Sequence, residues 1–314
     1  MNDLHVVFGA GQVGSRLAGL LRTKGKRVRI VRRSAGAAGA GIEVVSGDAA
    51  DAEFCRTATA GAAAVYHCMN PAYDTALWAR LVPLWAENLL AASGAVGARL
   101  VVLDNLYMYG RPAAPIDEDT PFAPRSTKGE IRARASDTLF SAHERGDARV
   151  VVGRASDFYG PGGVGTHFAD RFWQPALAGK TARMLLDPDV PHSYNYIPDV
   201  ATGLATLGLA ADDALGRVWM LPVTPATSAR ELAQHFSEEL GREIRVAKTP
   251  RAMVKLLGLF MPIVKEIGEM LHQWDGPFLV NDRRFCERFA VEPTPMADAA
   301  RETVAWATRE YATA

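Results

Sequence analysis

Across the first 155 residues, short β-branched apolar runs alternate with longer stretches whose apolar positions recur at helical spacing. The runs fall at 4–8, 27–31, 42–46, 63–67, 99–103 and 149–153, and the helix candidates between them at 12–24, 51–60, 75–96 and 127–145. Strands that alternate with helices predict βαβ crossovers and a parallel sheet covered on both faces. The alanine- and glycine-rich stretch 34–41 is too small to bury much and is predicted as a loop. Beyond Arg154 the pattern turns irregular, with loop signals at 159–163 and 187–191. A helix is predicted over 199–211 with Asp199 as its cap, a last core strand over 219–222, and a helix over 228–240. That last helix has Ser228 as cap and Glu231 three residues on, a capping-box spacing. Residues 251–274 form an apolar, helical-looking region broken at Pro262. The expected organisation is a core of residues 1–155, completed by elements near 194–222, with 156–193 and 223–314 forming a smaller substrate-binding lobe.

Charge and composition narrow the function. Thirty-five basic and thirty-five acidic side chains cancel, and 48% of the 314 residues are hydrophobic. A nucleic-acid binder normally carries a basic excess, and a disordered chain a low apolar fraction, so neither class is expected. The longest near-apolar run, 256–264, is far short of the roughly 20 residues a membrane span needs. The first residues lack a basic stretch followed by an apolar core, which predicts a cytoplasmic protein. Three scattered cysteines offer neither zinc spacing nor a disulfide framework, so no metal site is expected.

The chemistry begins at Gly9-Ala10-Gly11-Gln12-Val13-Gly14, set between a predicted strand and a predicted helix. Gly9 permits the tight turn, Gly11 lets backbone approach a pyrophosphate, and Gly14 lets helix pack closely on strand. An anion there would sit on free N–H groups at the helix N-terminus. At the end of the second strand, where an NAD site carries an acid for the ribose hydroxyls, stand Arg32 and Arg33. Guanidinium groups suit a 2′-phosphate, so NADP(H) is expected over NAD(H); two solvated arginines are the alternative. Asp48 follows the third strand, within reach of an adenine. Cys68 and Asn70 follow the fourth, at the carboxyl edge where dinucleotides bind.

With these motifs the chain resembles an extended short-chain dehydrogenase/reductase of the NAD-dependent epimerase/dehydratase group. The pieces that carry the resemblance are Gly9–Gly14, Gly47-Asp48, Tyr107-Met108-Tyr109-Gly110, Arg154 through Tyr159-Gly160-Pro161-Gly162, and Tyr196-Ile197-Pro198-Asp199-Val200-Ala201. They keep the family order over roughly the first 200 residues. The resemblance implies a Rossmann-type, doubly wound parallel sheet with a C-terminal substrate lobe. Activity is implied only broadly, because reductases, epimerases, dehydratases and isomerases share this fold.

The resemblance breaks at the catalytic positions. Where the family has an active-site Ser or Thr, five residues before Gly110, this chain has Asn105. Aligned on Pro124, Ser126 and Gly129, the family's Tyr-x-x-x-Lys pair is replaced by Lys128 and Arg132, and no Tyr-x-x-x-Lys occurs elsewhere. The two replacements are i and i+4, so they share a helix face. Three roles are expected: Lys128 as acid or clamp on a substrate oxygen, Asn105 orienting that oxygen, and Arg132 holding the nicotinamide ribose. Asp157, where the family usually has Asn, and Tyr107 are substitute candidates for acid–base work, and His192, Tyr194 and Tyr196 for lining the pocket. The leading expectation is an NADP(H)-dependent oxidoreductase or epimerase/dehydratase-like enzyme acting on a carbonyl or alcohol carbon of a small organic or nucleotide-sugar substrate. The rival is a non-catalytic NADP(H)-binding sensor. Helices 75–96 and 127–145 are the expected interface of a homodimer, because the first carries Leu77, Trp78, Leu81, Leu84, Trp85, Leu89 and Leu90.

Overall fold

The structure, a computed structural model, describes residues 3–34, 36, 39–185, 187–225, 228–249 and 266–311. Seven strands form one parallel sheet: β1 (Leu4–Phe8), β2 (Arg27–Arg32), β3 (Ile42–Ser46), β4 (Ala62–His67), β5 (Arg99–Asp104), β6 (Arg149–Arg154) and β10 (Val218–Met220). Their order across the sheet is β10-β6-β5-β4-β1-β2-β3. The strand order reverses between β1 and β4, the position at which such sheets open a crevice for a ligand. Helices α1 (Gly14–Thr23), α2 (Ala52–Ala58), α3 (Thr75–Ala95), α4 (Thr127–Glu144) and α6 (Ile197–Leu209) cover its two faces. The fold is the doubly wound α/β architecture that the alternating pattern predicts.

Alternation along each strand sends neighbouring residues to opposite sides. Val6, Phe8, Val65, Leu100 and Val102 pack with Leu89 of α3 in one core. Val7, Ile30, Val101 and Val151 pack with Leu17 of α1 and Leu204 of α6 in the other. Fully burying each such side chain contributes roughly 1.5–3 kcal/mol, which makes the sheet the rigid base of any site at its edge. A third, aromatic core joins Tyr159, Phe168, Phe172, Trp173, Tyr194 and Phe236 with Val304. It is built around α5 (Asp170–Leu177), α7 (Ala229–Leu240) and the helix Met296–Tyr311, with two short pairings. These are β7 (Asp157–Tyr159) with β9 (Tyr194–Tyr196), and β8 (Ala182–Met184) with β11 (Val246–Lys248).

Some local expectations are corrected. Helix α1 opens at Gly14 rather than residue 12. Helix α6 opens at Ile197 without a side-chain cap. The Asp199 carboxylate instead accepts from the backbone N and Oγ1 of Thr294, at 2.8 and 2.6 Å. A distant threonine that offers two donors outcompetes the local N–H groups. Ser228 does cap α7, accepting from Glu231 N at 3.1 Å. Most of the 251–274 expectation lies outside the described residues; within them, 266–268 are helical and Leu271–Gln273 form a short 3-10 turn.

Candidate functional site

Parallel strands all end at one edge, and their outgoing loops carry the candidate residues there. Phe8 pairs with Val31 and with His67, His67 with Val102, and Asp104 with Arg154. The Gly9–Gly14 turn, Arg32, Asn70, Asn105 and Asp157 therefore issue from the same edge. In the turn, Gly9 N donates to Val31 O at 2.9 Å and the residue sits at φ +106°. A Cβ on Gly9 would lie 2.8 Å from the Cys68 carbonyl oxygen, and one on Gly14 would collide with the Gly9 carbonyl. A Cβ on Gly11 would meet nothing within 4 Å. The first and third glycines are thus required by internal packing, and the second leaves open space against backbone. Gln12 Oε1 is buried without a partner beside this turn. The turn and the start of α1 fit a pyrophosphate on these grounds.

The adenine-side candidates are more exposed. Arg32 is half-buried, and its Nη1 lies 2.6 Å from where a Gly36 Cβ would stand, so the guanidinium folds over the loop. Arg33 and Asp48 are exposed, and Asp48 Oδ1 accepts from Ala50 N at 2.9 Å. Cys68 N donates to Phe8 O at 2.8 Å, and burial pushes its thiol up to about 12. That excludes a ready thiolate.

Helix α4 starts where Ser126 Oγ accepts from Gly129 N at 3.0 Å, and it presents Lys128 and Arg132 on one buried face. Arg132 donates to Asn70 Oδ1 at 2.6 Å and stands 3.4 Å from Asp104 Oδ1, with its guanidinium 4.8 Å over the Trp78 ring. Its Nε is buried without a partner. Asp104 also faces Arg154 Nε at 3.3 Å, and Arg154 continues to Tyr109 Oη at 2.5 Å and Ser136 Oγ at 2.7 Å. One buried carboxylate thus lies between two guanidiniums, which fixes both in place.

Lys128 has no exposed surface. Its Nζ donates to Thr75 Oγ1 at 2.7 Å, Glu266 Oε2 at 2.5 Å and Glu269 Oε2 at 2.9 Å, and lies 4.7 Å from the centre of the Tyr73 ring. An ammonium has three N–H groups, and these acceptors take all three. The group expected to polarise a substrate oxygen is instead tied to the segment around 266–269. Neither glutamate stands out in sequence: their i, i+3 spacing marks a helix face but does not reveal a partner more than 130 residues away.

Asn105 Oδ1 accepts from Tyr107 N at 3.1 Å, which leaves its NH2 as the group able to donate outward. Tyr107 stacks on Trp78 at 5.8 Å and meets Tyr73 across 3.5 Å between hydroxyls; burial pushes Tyr107 up to about 12. Asp157 Oδ2 accepts from His192 Nε2 at 2.8 Å and Trp274 Nε1 at 2.9 Å, with His167 Nε2 at 3.6 Å. Burial alone would raise the Asp157 carboxyl, but the two imidazoles hold it well below the usual carboxylate range. Thr75, His167, Trp274, Glu266 and Glu269 were not evident as site residues from sequence. Tyr194 and Tyr196 are buried in the aromatic core, and Tyr196 donates to Glu302 Oε2 at 2.7 Å.

Residues 5–219 match the NAD dependent epimerase/dehydratase family. A relative from a Streptomyces species, 3-diazoavenalumate denitrifying reductase, is 29% identical over 286 residues, spanning 82% of this chain and 88% of its own. The dTDP-6-deoxy-L-talose 4-dehydrogenase (NAD(P)(+)) of Kitasatospora kifunensis is 29% identical over 174 residues, 52% of this chain and 54% of its own. Two solved structures share the fold at low identity. UDP-glucuronic acid 4-epimerase from Bacillus cereus, in complex with UDP-glucuronic acid and NAD, has a TM-score of 0.77 at 15% identity, covering 98% of this chain and 100% of the other. The Bordetella bronchiseptica enzyme WbmH in complex with NAD+ has a TM-score of 0.74 at 20% identity, covering 99% of both chains. The glycine turn at the sheet edge and the match over residues 5–219 lead to one conclusion: the chain belongs to the NAD dependent epimerase/dehydratase family, with the fold of the extended short-chain dehydrogenase/reductases.

Proposed function

We propose that this chain is an NADP(H)-dependent oxidoreductase that performs net hydride transfer at a carbonyl or alcohol carbon of a small organic or nucleotide-sugar substrate. The observation that carries the reading is the convergence of the glycine turn, Arg32, Asn70, Arg132, Asn105 and Asp157 on one carboxyl edge of the sheet. Gly9, Gly11, Gln12, Val13 and Gly14 would hold the pyrophosphate, Arg32 and Arg33 the 2′-phosphate, and Asp48 the adenine. Cys68 and Asn70 would line the groove, and Arg132, fixed by Asn70 and Asp104, would meet the nicotinamide ribose. The bound nucleotide would supply or accept the hydride. Asn105 would orient the reacting oxygen through its NH2. Lys128, its three N–H groups spent, would set the position of 266–269 beside the pocket. Residues 156–193 and 223–314 would form the lobe that covers the substrate.

Net redox is supported by the two relatives, named as a reductase and a dehydrogenase. A nucleotide sugar is one candidate substrate because the Kitasatospora kifunensis relative is a dTDP-6-deoxy-L-talose 4-dehydrogenase, and the Bacillus cereus epimerase of like fold holds UDP-glucuronic acid. These enzyme relatives favour catalysis over a sensor. The test is NADPH titration by fluorescence, followed by loss of 340 nm absorbance against a panel of aldehydes, ketones and nucleotide 4-ketosugars. Saturable binding with acceptor-dependent oxidation supports the reading. Binding with no oxidation by any acceptor supports the sensor instead.

A further inference from the structure

The family's tyrosine acid is absent from its place on α4, and Lys128, which stands there, has no N–H to give. A reduced carbonyl still needs a proton. The strongest unassigned cluster at the same edge is Asp157 with His167, His192 and Trp274. We propose that His167 is the proton donor of this site, held by Asp157, with His192 as the positioning residue behind it. This rests on the reductase reading above.

The geometry divides the roles. Asp157 stands three residues beyond Arg154, the end of β6, and its side chain keeps 26% of its exposure. Its Oδ2 receives His192 and Trp274 at hydrogen-bond distance, so it stays ionised and is a poor acid. His192 is sealed: its ring stacks on Phe278 at 5.5 Å and lies 4.9 Å from Tyr194, with 4% side-chain exposure. His167 is the open member, with 14% side-chain exposure and its ring edge-on to Trp274 at 4.6 Å. Its Nε2 faces Asp157 at 3.6 Å, while its Nδ1 has no hydrogen-bond partner among the described residues. Asp157 acts electrostatically on Tyr73, Tyr107 and Tyr194, and Glu269 on Tyr73 and Tyr107, so these are the titratable neighbours of the cluster. Tyr107 lies two residues beyond Asn105 and donates its backbone N–H to Asn105 Oδ1, and its hydroxyl meets that of Tyr73. The arrangement matches a general acid oriented by a carboxylate.

The step balances. The bound nucleotide would supply hydride to the carbonyl carbon; as the C=O π bond breaks, its electron pair takes the proton on His167 Nδ1. The neutral imidazole keeps Nε2–H toward Asp157 and is reprotonated from solvent. In the alcohol-oxidising direction the same nitrogen receives the proton.

Two readouts test this on the full chain. In histidine-labelled protein, His167→Asn assigns the ring resonance among the seven histidines. At one fixed pH, Asp157→Asn should move the His167 ring nitrogen resonances, because Nε2 loses the carboxylate that faces it. With any accepted substrate, His167→Asn should lower kcat about 10²–10³-fold with NADPH KM nearly unchanged, and remove the imidazole limb from the kcat–pH profile. His192→Asn should lower kcat less than His167→Asn does and leave the limb present, because it frees Asp157 but keeps the proton donor. A His167 ring with the same resonances in wild type and Asp157→Asn overturns the proposal, as does a His167→Asn enzyme that keeps the wild-type profile. If wild type oxidises NADPH with none of the acceptors, the reductase reading fails by itself. The ring spectrum then still decides whether Asp157 holds His167.

Discussion

Replacing Lys128 by Met keeps the length of the side chain and removes only the charge that ties α4 to Glu266 and Glu269. The lysine has 0% side-chain exposure and its carboxylate partners 25% and 23%. Breaking a buried ion pair by removing one partner costs about 3–5 kcal/mol. Water recovers part of this, because both glutamates are about a quarter exposed, so about 2–3 kcal/mol is expected. At about 2 °C per kcal/mol for a chain of this size, Tm should fall by about 4–6 °C. Burial would raise both glutamates, but the hydrogen bonds from Lys128 and from Thr75 or the α4 backbone hold them below the ordinary carboxylate range. A depressed carboxylate contributes stability that is present above its unfolded pKa of about 4.3 and is lost as pH falls through the folded value. The deficit of Lys128→Met should therefore be full at pH 7 and shrink below about pH 4.5. Thermal unfolding at pH 7 and pH 4, with Glu266→Gln completing a double-mutant cycle, reads all three quantities; the cycle should show coupling of about 1–3 kcal/mol. NADPH affinity should change little. An unchanged Tm with no coupling would refute the anchoring role, and a 10²-fold loss of kcat at unchanged stability would return Lys128 to catalysis.

Arg32→Ala combined with Arg33→Ala should weaken NADPH binding by at least about tenfold and leave NADH nearly untouched, since each charge-assisted contact contributes about 1.5–3 kcal/mol. Calorimetry with both nucleotides checks it, and equal losses would remove the 2′-phosphate assignment. Gly14→Ala should lower stability by about 1–3 kcal/mol and weaken NADPH, because the new methyl collides with the Gly9 carbonyl, whereas Gly11→Ala should fold normally. Denaturant melts of both variants separate the two glycines, and a fully stable Gly14→Ala would contradict the packing. On α3, Trp78, Trp85, Leu89 and Leu90 are buried within the chain, but Leu77, Leu81 and Leu84 remain half-buried. A two-fold dimer through α3 and α4 should therefore appear in light scattering at micromolar concentration as twice the 33.8 kDa chain mass; a monomeric mass rejects it.

The sheet was legible because a strand buried on both faces must be almost wholly apolar, and Leu4–Phe8 and Arg149–Arg154 nearly are. The glycine turn was legible because its spacing is a local steric demand, which the Gly9–Gly14 carbonyl clearance makes explicit. The i, i+4 relation of Lys128 and Arg132 was legible too. What ties them down was not: Glu266 and Glu269 lie far along the chain, and only the tertiary fold brings carboxylate to ammonium. The three-residue pairings β7–β9 and β8–β11 carry too few positions for a period to show. Asp199 illustrates the limit in the other direction, since its local pattern reads as a cap while Thr294 takes its carboxylate.

The central claim is net hydride transfer from NADPH at this edge of the sheet. Incubation with NADPH carrying deuterium at the transferable C4 position, and with a carbonyl acceptor, tests it when product mass and 340 nm absorbance are followed together. One deuterium in each product molecule, with one NADPH lost per product, is the predicted result. Product formed as an isomer of the substrate, without deuterium and with the absorbance unchanged, would contradict it.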